Sequence, residues 1–237
     1  MEHLTRAARE FIPWFGQMQD AYLFMLTKSD NVDDILNLAH NGHKIIAWSM
    51  NNATISQKFE IGAPSFERRI IAARKVQEAG YRLRIRLDPI VPFSGWEEQY
   101  ARTMDEIFKR ISPETVTLGT LRFEEGFYRM RNALFSKGTE AAQYLDDMEP
   151  MFPPKLFPGA KRPKSGKYSF TEEKRSEIFN FVIKEIRKYS NCPIALCKES
   201  ASVWNRLGLP LSECRCVCQL DSVDMSTKMQ SGADFAS

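Results

Sequence analysis

The chain has 237 residues, 43% of them hydrophobic and 27% charged, with a formal net charge of +3. Those values describe an ordinary globular protein and exclude a strongly basic, dedicated nucleic-acid-binding domain. No run of about 18 apolar residues offers a membrane span, and MEHLTRAARE has no apolar leader core, so no membrane association is expected and the expected compartment is the cytoplasm.

The predicted elements alternate. AYLFML (21–26) is a continuous apolar run of strand length. In NVDDILNLAHNG, Val32, Ile35, Leu36 and Ala39 recur at helical spacing, and Gly42 suits a helix end. KIIAWSM (44–50) reads as the next strand. Pro64-Ser65 opens a helix that carries Phe66, Ile70, Ala73 and Val76 on one side and stops at Gly80. YRLRIRLDPI (81–90) is a strand, WEEQYARTMDEIFKRI (96–111) an amphipathic helix and ETVTLGTLRF (114–123) a further strand. Strands alternating with helices over short loops imply βαβ units and a parallel sheet, wound either as a barrel segment or as an open doubly wound sheet.

The rhythm fails after residue 123. Residues 124–147 read as helical, 151–168 as a Pro/Gly/Lys-rich loop, and EEKRSEIFNFVIKEIRKY (172–189) as a helix capped by Thr171. CPIALCKE is short and strand-like. Three parts are therefore expected: residues 1–123 as a partial barrel, 124–220 as a C-terminal α/β extension facing the substrate and ending in cysteines, and 221–237 as a disordered tail.

Ligands of parallel α/β folds bind at the carboxyl ends of strands. Those ends carry Thr27-Lys28, Ser49-Met50-Asn51-Asn52, Asp88-Pro89 and Arg122-Phe123, which together suggest one shared pocket. In LRIRLDP, Arg84, Arg86 and Asp88 alternate with Leu83, Ile85 and Leu87, so one face of an otherwise buried strand carries two guanidiniums and a carboxylate. That face is either a paired Arg–Asp network or the wall of a lumen for a polar or anionic ligand. The basic clusters Arg68-Arg69 and 161–167, and the histidines His3, His40 and His43, read as surface. The five cysteines, Cys192, Cys197, Cys214, Cys216 and Cys218, all lie near the C-terminus. Cys214, Cys216 and Cys218 alternate, and with Cys197 they could ligate a metal; reduced structural thiols are the competing reading.

LTKSDNVDDIL, WSMNNATISQKFEIGAPSFERRIIAARKVQEAGY, DPIVPFSGWEEQY, LRF (121–123) and GKY (166–168) stand in the order found in spore photoproduct lyases, and over roughly residues 15–190 the chain resembles that family. The resemblance implies a partial TIM barrel of the radical S-adenosylmethionine (SAM) (βα)6 type. In that type a [4Fe–4S] cluster cleaves SAM to a radical that repairs thymine photoproducts in DNA. It assigns Lys28 to the SAM carboxylate, and Ser49 and Asn51 to the amino-acid or ribose part of SAM. It also assigns Arg122 to the lumen mouth and Arg162, Lys167 and Tyr168 to a basic-aromatic stretch facing the DNA lesion.

The sequence also departs from the family pattern. The cluster needs a CxxxCxxC loop after the first barrel strand. These residues contain no such spacing and no cysteine before Cys192, so the family's hydrogen-donor cysteine is also missing and the chain is expected to begin just ahead of the third barrel strand. Val91-Pro92-Phe93 replaces a basic-histidine pair, and Pro163 replaces a tyrosine. The expectation is a spore photoproduct lyase-like protein that is inactive by itself, its cluster loop supplied by a separate chain if it works. Two other readings stay open: a SAM- or nucleic-acid-binding remnant without catalysis, and an ordinary barrel enzyme for an anionic metabolite.

Overall fold

The computed structural model describes residues 6–123, 143 and 168–211. Helix α1 (Ala7–Gly16) leads into strand β1 (Leu23–Thr27). Then follow β2 (Lys44–Ser49), α2 (Ala53–Phe59), α3 (Phe66–Glu78), β3 (Arg82–Ile90), α4 (Trp96–Arg110) and β4 (Thr115–Thr120). The remaining elements are β5 (Arg122–Phe123), β6 (Tyr168–Ser169), α5 (Glu172–Arg187), β7 (Ile194–Leu196) and α6 (Ala201–Arg206).

Strands β1, β2, β3, β4 and β7 form one parallel sheet in that order, and β5 and β6 form a small antiparallel pair. The order never reverses. A doubly wound sheet reverses at its switch point, whereas right-handed crossovers that always advance in one direction put every helix on one face. The architecture is therefore a partial barrel, which settles the choice that periodicity left open. Strand β7 lies inside the 124–220 segment, yet it takes the fifth place in the main sheet. Among the described residues β1 has a single strand neighbour, β2.

The outer face of the sheet makes the core. Ile46, Trp48, Leu83, Ile85, Leu87, Val116, Leu118 and Leu196 pack against Ile70 and Val76 of α3, Tyr100 and Met104 of α4, and Phe179 and Val182 of α5, all buried. Local chemistry sets the helix ends. Ser65 accepts a hydrogen bond from the Arg68 backbone N–H and starts α3, and Thr171 does the same for Lys174 in α5. Gly80, at φ +85°, turns the chain out of α3 into β3. Helix α4 has Glu97 and Glu98 in its first turn and Lys109 and Arg110 in its last, matching the helix dipole.

Two local readings change. The periodic stretch after Asn31 forms only a 3₁₀ turn, Asp33–Ile35. The Ile35 carbonyl accepts from the Tyr81 hydroxyl at 2.5 Å as well as from the Leu38 backbone N–H at 3.2 Å, and the Asn41 side-chain amide donates to the Gly16 carbonyl at 3.0 Å, so tertiary bonds tie this turn to its neighbours. His40 and His43 are half-buried rather than surface residues. His40 stacks on Tyr81 with ring centroids 3.9 Å apart, and His43 stacks on Tyr22 at 5.0 Å.

At the amino end of β3, Glu114 accepts from Arg82 at 2.7 Å and from Arg84 at 2.5 Å. Burial pushes the Glu114 carboxyl up, but the hydrogen bonds and charges of the two arginines outweigh it and hold the group below the ordinary glutamate value of 4.5. A depressed folded pKa stabilises the fold above the ordinary value, and the contribution is lost as the pH falls through the folded value. Urea midpoints of the wild type should therefore fall between about pH 5 and pH 3, and Glu114→Gln, less stable at pH 7, should lose less over that window. Parallel pH curves for the two proteins would contradict this.

Candidate functional site at the carboxyl ends of the strands

Register determines what shares the inner face of the sheet. Ser49 lies beside Arg86, Arg86 beside Thr117, and Thr117 beside Ala195. Neighbours in a parallel pair project to the same side, so Arg84, Arg86 and Asp88 line the inner face while Leu83, Ile85 and Leu87 face the helices. Arg84 points its charge at Glu114, at the end of β3 away from Asp88.

The carboxyl ends converge on a second charge cluster. Arg86 donates to Asp88 Oδ2 at 2.7 Å and to Cys197 Sγ at 2.6 Å. Arg122 donates to the Cys197 carbonyl at 2.9 Å and to its Sγ at 3.4 Å, and its guanidinium lies 3.6 Å from Asp88 Oδ1. Cys197 follows β7 and is buried with a free thiol. Two guanidiniums therefore approach the one sulfur. Behind Cys197, Glu199 pairs with Arg175 at 3.0 Å. Burial pushes the Glu199 carboxyl up further than Arg175 and Arg122 pull it down. Neither Glu199 nor Arg175 stands out in the sequence, because their pairing depends on how α5 crosses β7.

A third cluster joins the ends of β1 and β2. Lys28 Nζ donates to Glu60 Oε1 at 2.8 Å. The other oxygen of Glu60 lies 2.5 Å from Arg69, a fully buried side chain. Arg69 also donates to the Ser49 carbonyl at 3.1 Å, to the Pro64 carbonyl at 2.8 Å and to Ser56 Oγ at 3.1 Å. Arg69 is thus the centre of a buried network and not the solvated charge suggested by the Arg68-Arg69 pair. Burial pushes the Glu60 carboxyl up, but hydrogen bonds from Lys28 and Arg69, with their charges, hold it below the ordinary value. Asn51 is committed within the protein: its amide donates to the Pro89 carbonyl at 2.9 Å, and its oxygen accepts from the Tyr100 hydroxyl at 2.6 Å. Burial raises the Tyr100 pKa, which keeps that hydroxyl a donor.

Lys28, Ser49, Asn51, Arg86, Asp88, Arg122 and Cys197 thus sit at neighbouring strand ends, with Arg84 apart. Tyr168 is placed through its backbone in β6, opposite Phe123. Arg162, Lys167, Cys214, Cys216 and Cys218 lie outside the described residues, as do the expected helix over 124–147 apart from residue 143, the expected loop over 151–168 apart from residue 168, and the expected tail over 221–237. Among the described residues no three His, Cys, Asp or Glu side chains form a metal-binding group. No helix there is long and apolar enough to cross a membrane. A groove of about 830 Å³ lies over the helical layer, beside Gln57, Glu60, Phe66, Gln99 and Arg102. Among its charged groups Glu60 pairs with Arg69 and Arg102 with Glu98, while Glu67 and Glu106 share Arg110.

A parallel sheet of one-way order with polar groups gathered at its strand ends defines an α/β partial-barrel protein. The family model described as spore photoproduct lyase matches residues 1–191, and the chain belongs to that family. The spore photoproduct lyase of a Geobacillus species is 36% identical over 124 residues, which is 52% of this chain and 36% of that protein. The one from Clostridium acetobutylicum is 24% identical over 206 residues, 81% of this chain and 55% of that protein. A solved spore photoproduct lyase complexed with dinucleoside spore photoproduct superposes with a TM-score of 0.68 at 26% identity, covering 82% of this chain and 56% of that one. A mutant lyase with bound AdoMet and the same dinucleoside gives a TM-score of 0.68 at 26% identity, covering 83% and 56%. The chain therefore spans at most about 56% of the length of these relatives.

Gly119 shows how tightly the Asp88 cluster is built. A Cβ there would lie 2.5 Å from the Asp88 carboxyl carbon. Gly119→Ala should cost about 1–3 kcal/mol in urea unfolding. The cost should shrink in an Asp88→Ala background; an equal cost in both would show that the carboxylate is not what the side chain meets.

Proposed function

We propose that this chain is the SAM- and lesion-facing part of a spore photoproduct lyase-type radical SAM protein acting on thymine photoproducts in DNA. The observation that carries the reading is the convergence of Lys28, Ser49, Arg86, Asp88 and Arg122 at the carboxyl ends of adjacent parallel strands. Relatives of the same fold have been solved with AdoMet and dinucleoside spore photoproduct. When bound, AdoMet would supply the radical chemistry.

Lys28 suits the AdoMet carboxylate, since its side chain is 41% exposed and presents a compact charge with donors beyond the one used on Glu60. Ser49 stands next to it on the inner face, and Asn51 supports the site by fixing the Pro89 turn. Arg86 and Arg122 face the lesion side, where a guanidinium can meet a phosphate. The thiolates of a [4Fe–4S] cluster are not supported by the described residues, among which Cys197 is approached by two guanidiniums and belongs to no group of three metal-binding side chains. The sequence has no CxxxCxxC, so radical generation requires thiolates from beyond these residues, in the same polypeptide or from a separate chain.

Calorimetry tests the reading. The wild-type chain should bind AdoMet, and Lys28→Ala should weaken it by about tenfold. Arg122→Gln should leave AdoMet affinity unchanged and weaken a dinucleotide spore photoproduct, which carries the phosphate. AdoMet binding that ignores Lys28→Ala would reject the assignment.

A further inference from the structure

The structure assigns a role to a residue that neither the sequence pattern nor the family resemblance singles out. We propose that Glu60 is a positioning residue for the carboxylate subsite: braced by Arg69, it fixes the Lys28 ammonium at the end of β1. This rests on the AdoMet reading of Lys28.

The geometry forms a chain of restraints. Arg69 is fully buried and makes hydrogen bonds to the Ser49 carbonyl, the Pro64 carbonyl and Ser56 Oγ, so it is pinned to the end of β2, to the loop before α3 and to α2. Its fourth contact is Glu60 Oε2 at 2.5 Å. The Glu60 side chain is only 9% exposed, and its other oxygen takes Lys28 Nζ at 2.8 Å. One end of this relay is a rigid buried guanidinium, and the other is a half-exposed lysine on a flexible four-carbon stem.

A free lysine would lose rotamer entropy on meeting a ligand. Glu60 removes much of that cost before the ligand arrives. The ammonium has three donors and spends one on Glu60, so it can keep the brace and still donate to an incoming carboxylate. Arg69 neutralises Glu60 independently, so the glutamate does not compel Lys28 to stay fully paired. The two cations beside Glu60 hold its carboxyl below the ordinary value against the push of burial, so it remains a carboxylate at neutral pH. The same arginine holds the Ser49 carbonyl, so the half-exposed Lys28 and the buried Ser49 are located by one group.

The test compares two ligands that differ only at the carboxylate: AdoMet and decarboxylated S-adenosylmethionine. Calorimetry is run on the full chain as wild type, Lys28→Ala, Glu60→Gln and Glu60→Asp. Glu60→Asp keeps a carboxylate for Arg69, and thus the fold, while shortening the reach towards Lys28. Both Glu60 variants should weaken AdoMet by about five- to tenfold and leave the decarboxylated ligand within about twofold of wild type. Equal weakening of both ligands would mean a merely structural role and overturn the proposal. AdoMet affinity lost in Lys28→Ala but kept in both Glu60 variants overturns this proposal alone. Affinity unchanged in Lys28→Ala overturns the AdoMet reading and this proposal with it.

Discussion

A parallel sheet that turns arginines towards its inner face must find each of them a counter-charge or an acceptor. The low-dielectric wall around an unpaired guanidinium penalises it heavily. In this chain that requirement organises everything on the concave side of the sheet. Glu114 sits at the start of β4 where Arg82 and Arg84 reach it, and Asp88 reaches across Gly119 to meet Arg86. Glycine at 119 follows from the charge pattern of β3, because no side chain fits where the carboxylate lies. The convex side obeys a simpler rule, aliphatic and aromatic burial under three helices, and would serve any α/β protein.

The third network follows the same rule away from the lumen. Arg69 arises on a helix, yet its bonds end on a strand carbonyl, a loop carbonyl, a helix hydroxyl and a glutamate. A group with so many acceptors, shielded from water, is a fixed point, and what it touches inherits that fixity. Lys28 is the exposed end of the network, and therefore the part that a ligand can engage.

How much of this the sequence discloses depends on the range of the interaction. Period-2 and period-3.6 patterns located the strands and the long helices, and Ser65, Thr171 and Gly80 marked helix ends because capping is decided within a few residues. The alternation in LRIRLDP exposed the polar inner face directly. The pairings were not legible. Glu114 follows Arg84 by 30 positions and Cys197 follows Arg86 by 111, so only the register and the crossover path bring them together. Arg69 looked like surface because its neighbour Arg68 is surface; one step along a helix rotates a side chain by about 100°, which separates a solvated charge from a buried one. The turn after Asn31 misled for the opposite reason: Val32 and Ile35 are indeed buried at helical spacing, but the Ile35 carbonyl bonds the Leu38 backbone N–H and the distant Tyr81 hydroxyl.

The two charge clusters of β3 differ in a way that gives the inner face a direction. At each end two guanidiniums share one carboxylate. At the amino end Glu114 holds both arginines with contacts of 2.5 to 3.2 Å, and Arg82 additionally lies over the Tyr22 ring at 5.1 Å. At the carboxyl end Asp88 bonds Arg86 but stands 3.6 Å from Arg122, which instead relies on a backbone carbonyl and a sulfur. An anion arriving at the amino end would have to displace a bidentate ion pair. One arriving at the carboxyl end meets a guanidinium whose nearest acceptor is a backbone carbonyl and whose carboxylate partner stands 3.6 Å away. The same strand is thus tightly paired at one end and more loosely at the other, the end beside which Lys28 and Ser49 also lie.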